Sequence, residues 1–339
     1  MPGSPATNCQ SARLVHRRRL ALVAFAAGCA AFNAGDAAAH GYAGNRFFPA
    51  TLTTDDPFVA DELSLPTVSW YRNGERPAEG QTDVSAEFSK RIIDNLGLSI
   101  EPTWTHLDRR NEDNKSGFQN LEMALKYQFL TSAEHEAIAS IGLETEIGGT
   151  GASKVGAENF SVLQPTLYFG KGAGDLPEGV GALRPLALTG FVGYGIPTDA
   201  RHTTASVDEE TGEVEREVER HAQTLAYGGS IQYSLPYLQA NVFDTGLPEY
   251  LSRLIPVVEL SFETPVQNTG GERSTTAFCN PGFIWAGQSF QVGAEAVVPL
   301  NRDTGTGVGF IAQLHFYLDD LFPTTLGRPI FPGVAGPSF

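Results

Sequence analysis

The chain has few cysteines and, outside its N-terminus, no long apolar run. Only Cys9, Cys29 and Cys279 occur. The first two lie within the N-terminal 39 residues, so the rest of the chain holds one thiol. That count excludes an internal disulfide and a thiolate metal cluster. No later run approaches the roughly 18 consecutive apolar residues of a membrane-spanning helix.

Basic residues are also scarce. The chain carries 23 Lys and Arg against 39 Asp and Glu, a formal net charge of −16. A chain this acidic repels phosphate, so we expect no nucleic-acid partner. No linker rich in Ser, Gly or Pro divides the chain, and no repeat recurs at a fixed period. We expect no bound cofactor.

The N-terminus has the three parts of a secretory signal. Residues 16–19 are basic, residues 20–31 are apolar, and residues 37–39 are the small residues of a cleavage site. The apolar part is too short to cross a bilayer as a helix. We therefore predict a signal peptide over residues 1–39 and a mature chain that starts at His40.

Strand-length stretches of alternating apolar and polar residues fill most of the remaining chain. In one of them, Leu225, Tyr227 and Ile231 point one way while Thr224 and Gln232 point the other. Candidate strands lie at 67–73, 83–93, 96–107, 117–129, 135–148, 160–170, 186–197, 222–235, 253–264, 276–286, 288–300 and 306–318. Bacterial membrane barrels use even strand numbers. The pattern predicts an all-β fold, an antiparallel transmembrane β-barrel of about twelve strands with an irregular N-terminal segment.

Domain limits and loop lengths follow from this pattern. We predict an N-terminal segment at 40–66, the barrel at 67–322 and a C-terminal extension at 323–339. With a periplasmic N-terminus, polar outer loops fall at 74–82, 108–116, 149–159, 198–221, 265–275 and 301–305. The opposite connections should be short turns. Two of them, 171–185 and 236–252, are about fifteen residues long and are expected to carry short helical or glycine-rich turns.

The polar strand faces predict which charged side chains line the lumen. Acidic groups outnumber basic ones there, which favours cations or neutral polar solutes. The alternative is an ion-pair network that fills the barrel, because buried charges are tolerated when they pair. Twelve strands lie between filled and open barrels, so an open and a plugged lumen both remain possible. The predicted lumen residues are Glu87, Arg91, Glu101, Glu122, Lys126, Glu144, Glu146, Glu259, Glu295 and His315.

The segment 40–66 is long enough to enter the barrel as a plug or gate. Phe47, Phe48 and Phe58 would be unfavourable in water, which argues for burial. Asp55 and Asp56 would then meet lumen cations such as Arg91 or Lys126. The alternative is a loose periplasmic tail.

Two stretches of the mature chain carry a family resemblance. HGYAGNRFFPAT (40–51), TDDPF (54–58) and ELSLP (62–66), with KGAGDLP (171–177) and LRP (183–185), resemble a poorly characterised group of proteobacterial outer-membrane barrels. That group is similar to the barrel proteins linked to meta-cleavage phenol degradation. The resemblance implies a Gram-negative outer-membrane barrel that passes a small solute. It assigns no catalytic residue. Its partners would be outer-membrane lipid and the assembly machinery. One departure is the terminal Phe339, which follows Pro332 and Pro337, so residues 314–322 would carry the assembly signal.

Two enzymatic alternatives remain. An N-terminal His40 could chelate copper through its amine and imidazole. It would need a second histidine, and no spacing selects among His106, His135, His202, His221 and His315. A lipid hydrolase at the barrel rim is the other enzymatic alternative.

The rim hydrolase would use a serine activated by a histidine. His106 is predicted at an outward, outer-rim position, and Ser116 or Ser69 could be its neighbour. The main prediction is passage or binding of a small solute without covalent chemistry. A structural or translocating barrel that passes no solute is the third possibility.

Overall fold

The computed structural model describes residues 41–74, 79–110, 112–207, 214–270 and 274–333, with only the backbone at 202–207, 214–217 and 219. The predicted signal peptide, His40 and residues 334–339 of the predicted C-terminal extension lie outside this part of the chain. Within the described ranges, no helix combines the length and the apolar character needed to cross a membrane.

Twelve strands form one antiparallel sheet that closes on itself. Each strand pairs with the next, and the last pairs with the first through Phe310 and Trp70. Closure leaves no unpaired edge in the ring, and it confirms the predicted fold class and strand number. The strands are β1 (Glu62–Arg72), β2 (Gly80–Ile93), β3 (Leu96–Glu101, continued by Thr103–Asp108), β4 (Lys115–Phe118, continued by Leu121–Ser132), β5 (Ala137–Ile147), β6 (Val162–Gly172), β7 (Leu186–Pro197), β8 (Gln223–Tyr233), β9 (Leu254–Gln267), β10 (Thr276–Ala286), β11 (Phe290–Pro299) and β12 (Gly309–Tyr317).

The strand faces are inverted relative to those of a soluble protein. In β8, Ile231 is 49% exposed, whereas its neighbours Ser230 and Gln232 are 3% and 1% exposed. Leu167 in β6 and Leu188 in β7 are exposed in the same way. A closed barrel with an apolar outer face and a polar inner face is stable when hydrocarbon surrounds it. The chain is an outer-membrane β-barrel of the Gram-negative type.

The two barrel ends differ in how the strands are connected. At the terminal end, where β1 begins and β12 ends, two connections are long and carry helices. One holds a 3₁₀ turn at Glu178–Leu183, and the other holds α1 (Leu235–Asn241) and α2 (Glu249–Ser252). A further short helix, α3 (Leu318–Leu321), follows β12.

The opposite end, called here the loop end, carries the longest connection between strands. It contains a separate hairpin of Arg201–Val207 with Val214–Arg220. A 3₁₀ turn at Ser153–Val155 lies between β5 and β6.

Candidate functional site

The N-terminal segment, residues 41–61, lies inside the barrel on the terminal side. It starts with a small hairpin of Tyr42–Ala43 and Arg46–Phe47. It then rises to the middle of the lumen and returns to Asp61, immediately before β1.

Arg46 fixes the start of this segment to the terminal end. It is fully buried, and its Nε donates to Glu136 Oε2 over 3.0 Å. Another guanidinium nitrogen donates to the Pro185 carbonyl over 3.0 Å, and the group stacks on the Tyr237 ring at 3.8 Å. Burial lowers the pKa of Arg46, and the Glu136 carboxylate opposes that change. Burial and the same carboxylate raise the pKa of the Tyr237 hydroxyl. An arginine retains its charge under such conditions, so the contact is a buried ion pair.

Glu259 holds the top of the segment in mid-lumen. Its carboxylate accepts hydrogen bonds from three consecutive backbone amides, those of Leu52 (2.7 Å), Thr53 (3.0 Å) and Thr54 (2.6 Å). The hydroxyls of Thr53 and Thr54 also donate to it, over 2.7 and 2.8 Å. Hydrogen bonds to a charged acceptor are stronger than neutral ones. This buried carboxylate is therefore satisfied by five donors and needs no cation.

Ion pairs join the segment to the barrel wall at two levels. Lys126 Nζ lies 2.9 Å from Asp55 Oδ1 and 3.8 Å from Asp56 Oδ1, and it donates to the Asp56 carbonyl over 2.7 Å. Arg91, the other cation predicted for these aspartates, binds Asp61 instead, over 2.8 Å. The reason is position, because Arg91 is at the terminal end of β2, whereas Asp55 and Asp56 reach mid-lumen.

Apolar contacts complete the fit. Phe48 and Phe58 pack with Ile138, and Leu52 packs with Ile255 and Val257 of β9. Ile255 and Val257 interrupt the apolar–polar alternation of β9, because they point into the lumen and face the segment rather than water. Gly97 and Gly293 leave room for the N-terminal segment. A Cβ added at Gly97 would lie 2.8 Å from Val59, and one added at Gly293 would lie 2.5 Å from Leu52.

A cavity of about 830 Å³ runs from Arg220 and His221 at the loop end, alongside residues 50–60 of the segment, to Glu62 and Ser64 at the start of β1. Its wall is strongly acidic. The basic groups that line it are Lys126 and Arg220, together with His221 and His315. The acidic residues that line it are Asp55, Asp56, Glu62, Glu87, Glu101, Glu122, Glu144, Glu146, Glu158 and Glu263.

The predicted lumen residues divide into two groups. Seven of the ten line the cavity: Glu87, Glu101, Glu122, Lys126, Glu144, Glu146 and His315. Arg91 and Glu259 hold the N-terminal segment instead, and Glu295 is buried away from the cavity. Phe48, Asp55, Asp56 and Phe58 of the predicted plug make the contacts described above. Phe47 packs edge-on against Tyr317, with ring centroids 6.2 Å apart.

A buried polar cluster at the inner end of the cavity was not predicted. His315 Nδ1 lies 2.8 Å from Ser64 Oγ, and its Nε2 lies 3.5 Å from Glu62 Oε2. Ser64 and Glu62 were assigned to the N-terminal segment, whereas the structure places both in β1. Alternation alone did not find them, because β1 starts five residues earlier than its apolar pattern suggests.

Outside the lumen, His106 and Ser116 meet on adjacent strands near the loop end. His106 Nδ1 lies 2.7 Å from Ser116 Oγ, and Trp104 stacks on the imidazole with centroids 6.0 Å apart. Ser69, the other serine considered for this pair, instead faces inward and hydrogen-bonds to Asp83. In the described ranges, no group of three or more His, Cys, Asp and Glu side chains is arranged to hold a metal ion.

Comparison with known proteins gives structural likenesses only. No family model and no curated protein matches the chain. Among solved structures, it is similar to an outer-membrane channel from Pseudomonas putida F1, with 12% identity, a TM-score of 0.46, and coverage of 84% of this chain and 99% of that one.

Two autotransporter domains are also similar. The β domain of the Bordetella autotransporter BrkA has 12% identity and a TM-score of 0.44, covering 76% of this chain and 99% of that one. The translocator domain of NalP from Neisseria meningitidis has 10% identity and a TM-score of 0.41, covering 89% and 95%. Likenesses of this size assign no function, which therefore rests on the residues of the barrel itself.

Proposed function

We propose that the protein is an outer-membrane channel for a small polar solute, closed on its terminal side by the N-terminal segment acting as a plug. The observation that carries this proposal is the division of the lumen. Residues 41–61 occupy the terminal part of the lumen, and a polar cavity of about 830 Å³ runs beside the segment and on to the loop end. Glu122 faces this cavity and pairs with no described basic side chain, so its carboxylate is available to a cation or a neutral polar solute.

The type of contact supports a displaceable plug. The segment is joined to the wall by hydrogen bonds, ion pairs and two small apolar clusters, and by no disulfide, since Cys279 is free. All of these contacts are non-covalent, so the segment can leave the lumen without breaking a covalent bond. By the usual orientation of membrane barrels, the terminal end would face the periplasm and the cavity the outside. The link to phenol degradation and the contact with the assembly machinery remain predictions.

Conductance in planar bilayers tests the channel. We expect the intact chain to give small, weakly cation-selective currents, and a variant lacking residues 41–58 to give larger ones, because the obstruction is gone. A variant lacking the loop-end hairpin residues 202–219 is the control, since that hairpin is a separate sheet. Silence from both the intact chain and the plug deletion would reject the proposal.

The hydrogen-bonded His106 and Ser116 favour one second candidate, a hydrolase acting on lipid esters at the barrel surface. The imidazole would take the serine proton while Oγ attacks the ester carbonyl of a lipid lying against the wall, and it would return that proton to the lipid alcohol as the ester C–O bond breaks. Water would then hydrolyse the acyl-serine and release the fatty acid. Incubation with phospholipid should then release fatty acid in a manner that S116A and H106A abolish and S69A does not. Equal release by the intact chain and S116A would dismiss it.

A further inference from the structure

Three glutamates form a row across the cavity wall. The strand register sets Glu101 of β3 opposite Glu122 of β4, and Glu122 opposite Glu146 of β5. Like charges directly opposite one another are destabilising. Among the described residues, no basic side chain lies within 4.0 Å of any of the three carboxylates. Among the described side chains, the row therefore has no ion-pair partner, although Arg220 lines the same cavity.

The one lysine of the cavity does not pair with the row. Lys126 is held by Asp55 and Asp56 of the N-terminal segment. Glu146 accepts a hydrogen bond from the Asn120 amide over 2.8 Å, but that donor is neutral. Glu122, in the middle of the row, is exposed to the cavity.

A second observation comes from the inner end of the same cavity. Glu62 Oε1, Gln313 Oε1 and His315 Nε2 have no hydrogen-bond partner among the described residues. The three residues line the cavity and are only 7%, 8% and 3% exposed. An unpaired buried acceptor loses its hydration without compensation. Two of these atoms can only accept, so the missing partner is a donor.

We propose that this cavity binds a linear polyamine, a chain of ammonium groups joined by short methylene spacers. Glu144 and Glu146 lie two residues apart on β5, which sets successive carboxylates about 7 Å apart along the strand. Spaced ammonium groups can follow such a series, and each brings several N–H donors. A single metal ion fits less well, because the acidic groups are spread along the wall and do not converge.

The binding reaction is charge pairing without covalent change. One end of the polyamine would meet the Glu101–Glu122–Glu146 row, and the other would donate to Glu62 and Gln313. The polyamine can be the transported solute only if the proposed channel exists. Its binding to the cavity does not depend on an open path.

Calorimetry on the full chain in neutral detergent tests the site, with spermidine as the probe. We expect saturable binding that weakens as NaCl is raised, because the attraction is electrostatic. The triple variant E101Q/E122Q/E146Q should bind spermidine at least about tenfold more weakly. The matched control E134Q/E178Q/E249Q removes three acidic residues at the terminal end and should bind like the parent.

A milder variant guards against misfolding. E122Q changes one exposed side chain, and about a threefold or greater loss is expected from it. Absence of saturable spermidine binding, equal affinity of the parent and both cavity variants, or tighter binding of Mg²⁺ than of spermidine would each overturn the proposal. Silence from both the intact chain and the plug deletion would reject the channel and leave this binding result standing, so the two failures are distinguishable.

Discussion

Glu259 shows at the scale of one residue how a charge in a membrane barrel can be structural. Its position in the lumen was predictable, because it shares the inward face of β9. Its partners were not, since most of its donors are backbone amides, which carry no sequence signal. Charge on a lumen face therefore indicates an inward position but does not separate a solute contact from a latch.

Replacing Glu259 by glutamine should loosen the N-terminal segment. The amide group keeps the size but removes the negative charge and turns one acceptor into a donor that faces other donors. Hydrogen bonds to charged groups contribute roughly 1.5–3 kcal/mol each, so exchange of the amides of residues 52–54 should rise at least tenfold. Hydrogen exchange in detergent measures this effect. E263Q, on the same face of β9 but without a bond to the segment, should leave it unchanged, and protected amides in E259Q would contradict the latch.

At the scale of elements, the sequence predicted the strands, which share a repeating pattern, but not the path of the N-terminal segment, which has no such pattern. The twelve strands were predictable, because most of them alternate clearly between apolar and polar residues, as surrounding hydrocarbon requires. The path of residues 41–61 was not, since it depends on single matches such as Leu52 against Gly293 and Asp61 against Arg91. The noisy alternation of β9 was a usable signal, because Ile255 and Val257 point inward only where another apolar surface meets them.

Leu52 provides a test of that match. Truncating it to alanine leaves a void against Ile255 and Val257, which costs about 2–5 kcal/mol for a buried leucine. The loss should fall on docking of the segment, because every interstrand hydrogen bond of the barrel remains. Trypsin cleavage after Arg46 should accelerate at least about tenfold. Leu98→Ala, on the lipid-facing surface, is the control, and equal cleavage rates in both variants would show that the segment is held elsewhere.

At the scale of the whole molecule, the apolar side chains face outward and the polar ones inward. Leu167 lies midway along β6 on the outer face, whereas its neighbour Thr166 is buried. The stability of the ring depends on hydrocarbon as the solvent for such positions.

An arginine at position 167 should therefore destabilise the barrel in lipid vesicles by roughly 2–4 kcal/mol. Leu167→Met, which keeps the volume and the apolar character, should change stability by less than about 1.5 kcal/mol. Denaturant unfolding in vesicles measures both. An arginine variant as stable as the parent would show that this face does not meet the bilayer core.

The seam between β1 and β12 joins Trp70 to Phe310, positions near opposite limits of the ring in sequence. Contacts between such distant positions form late, because a long stretch of chain must first be organised. Residues 41–61 are attached directly to the first strand of that seam. Residues 41–61 must lie in the lumen before β1 and β12 pair, or they must enter the closed barrel from its terminal end. The order of assembly therefore decides whether residues 41–61 already occupy the lumen when the ring closes.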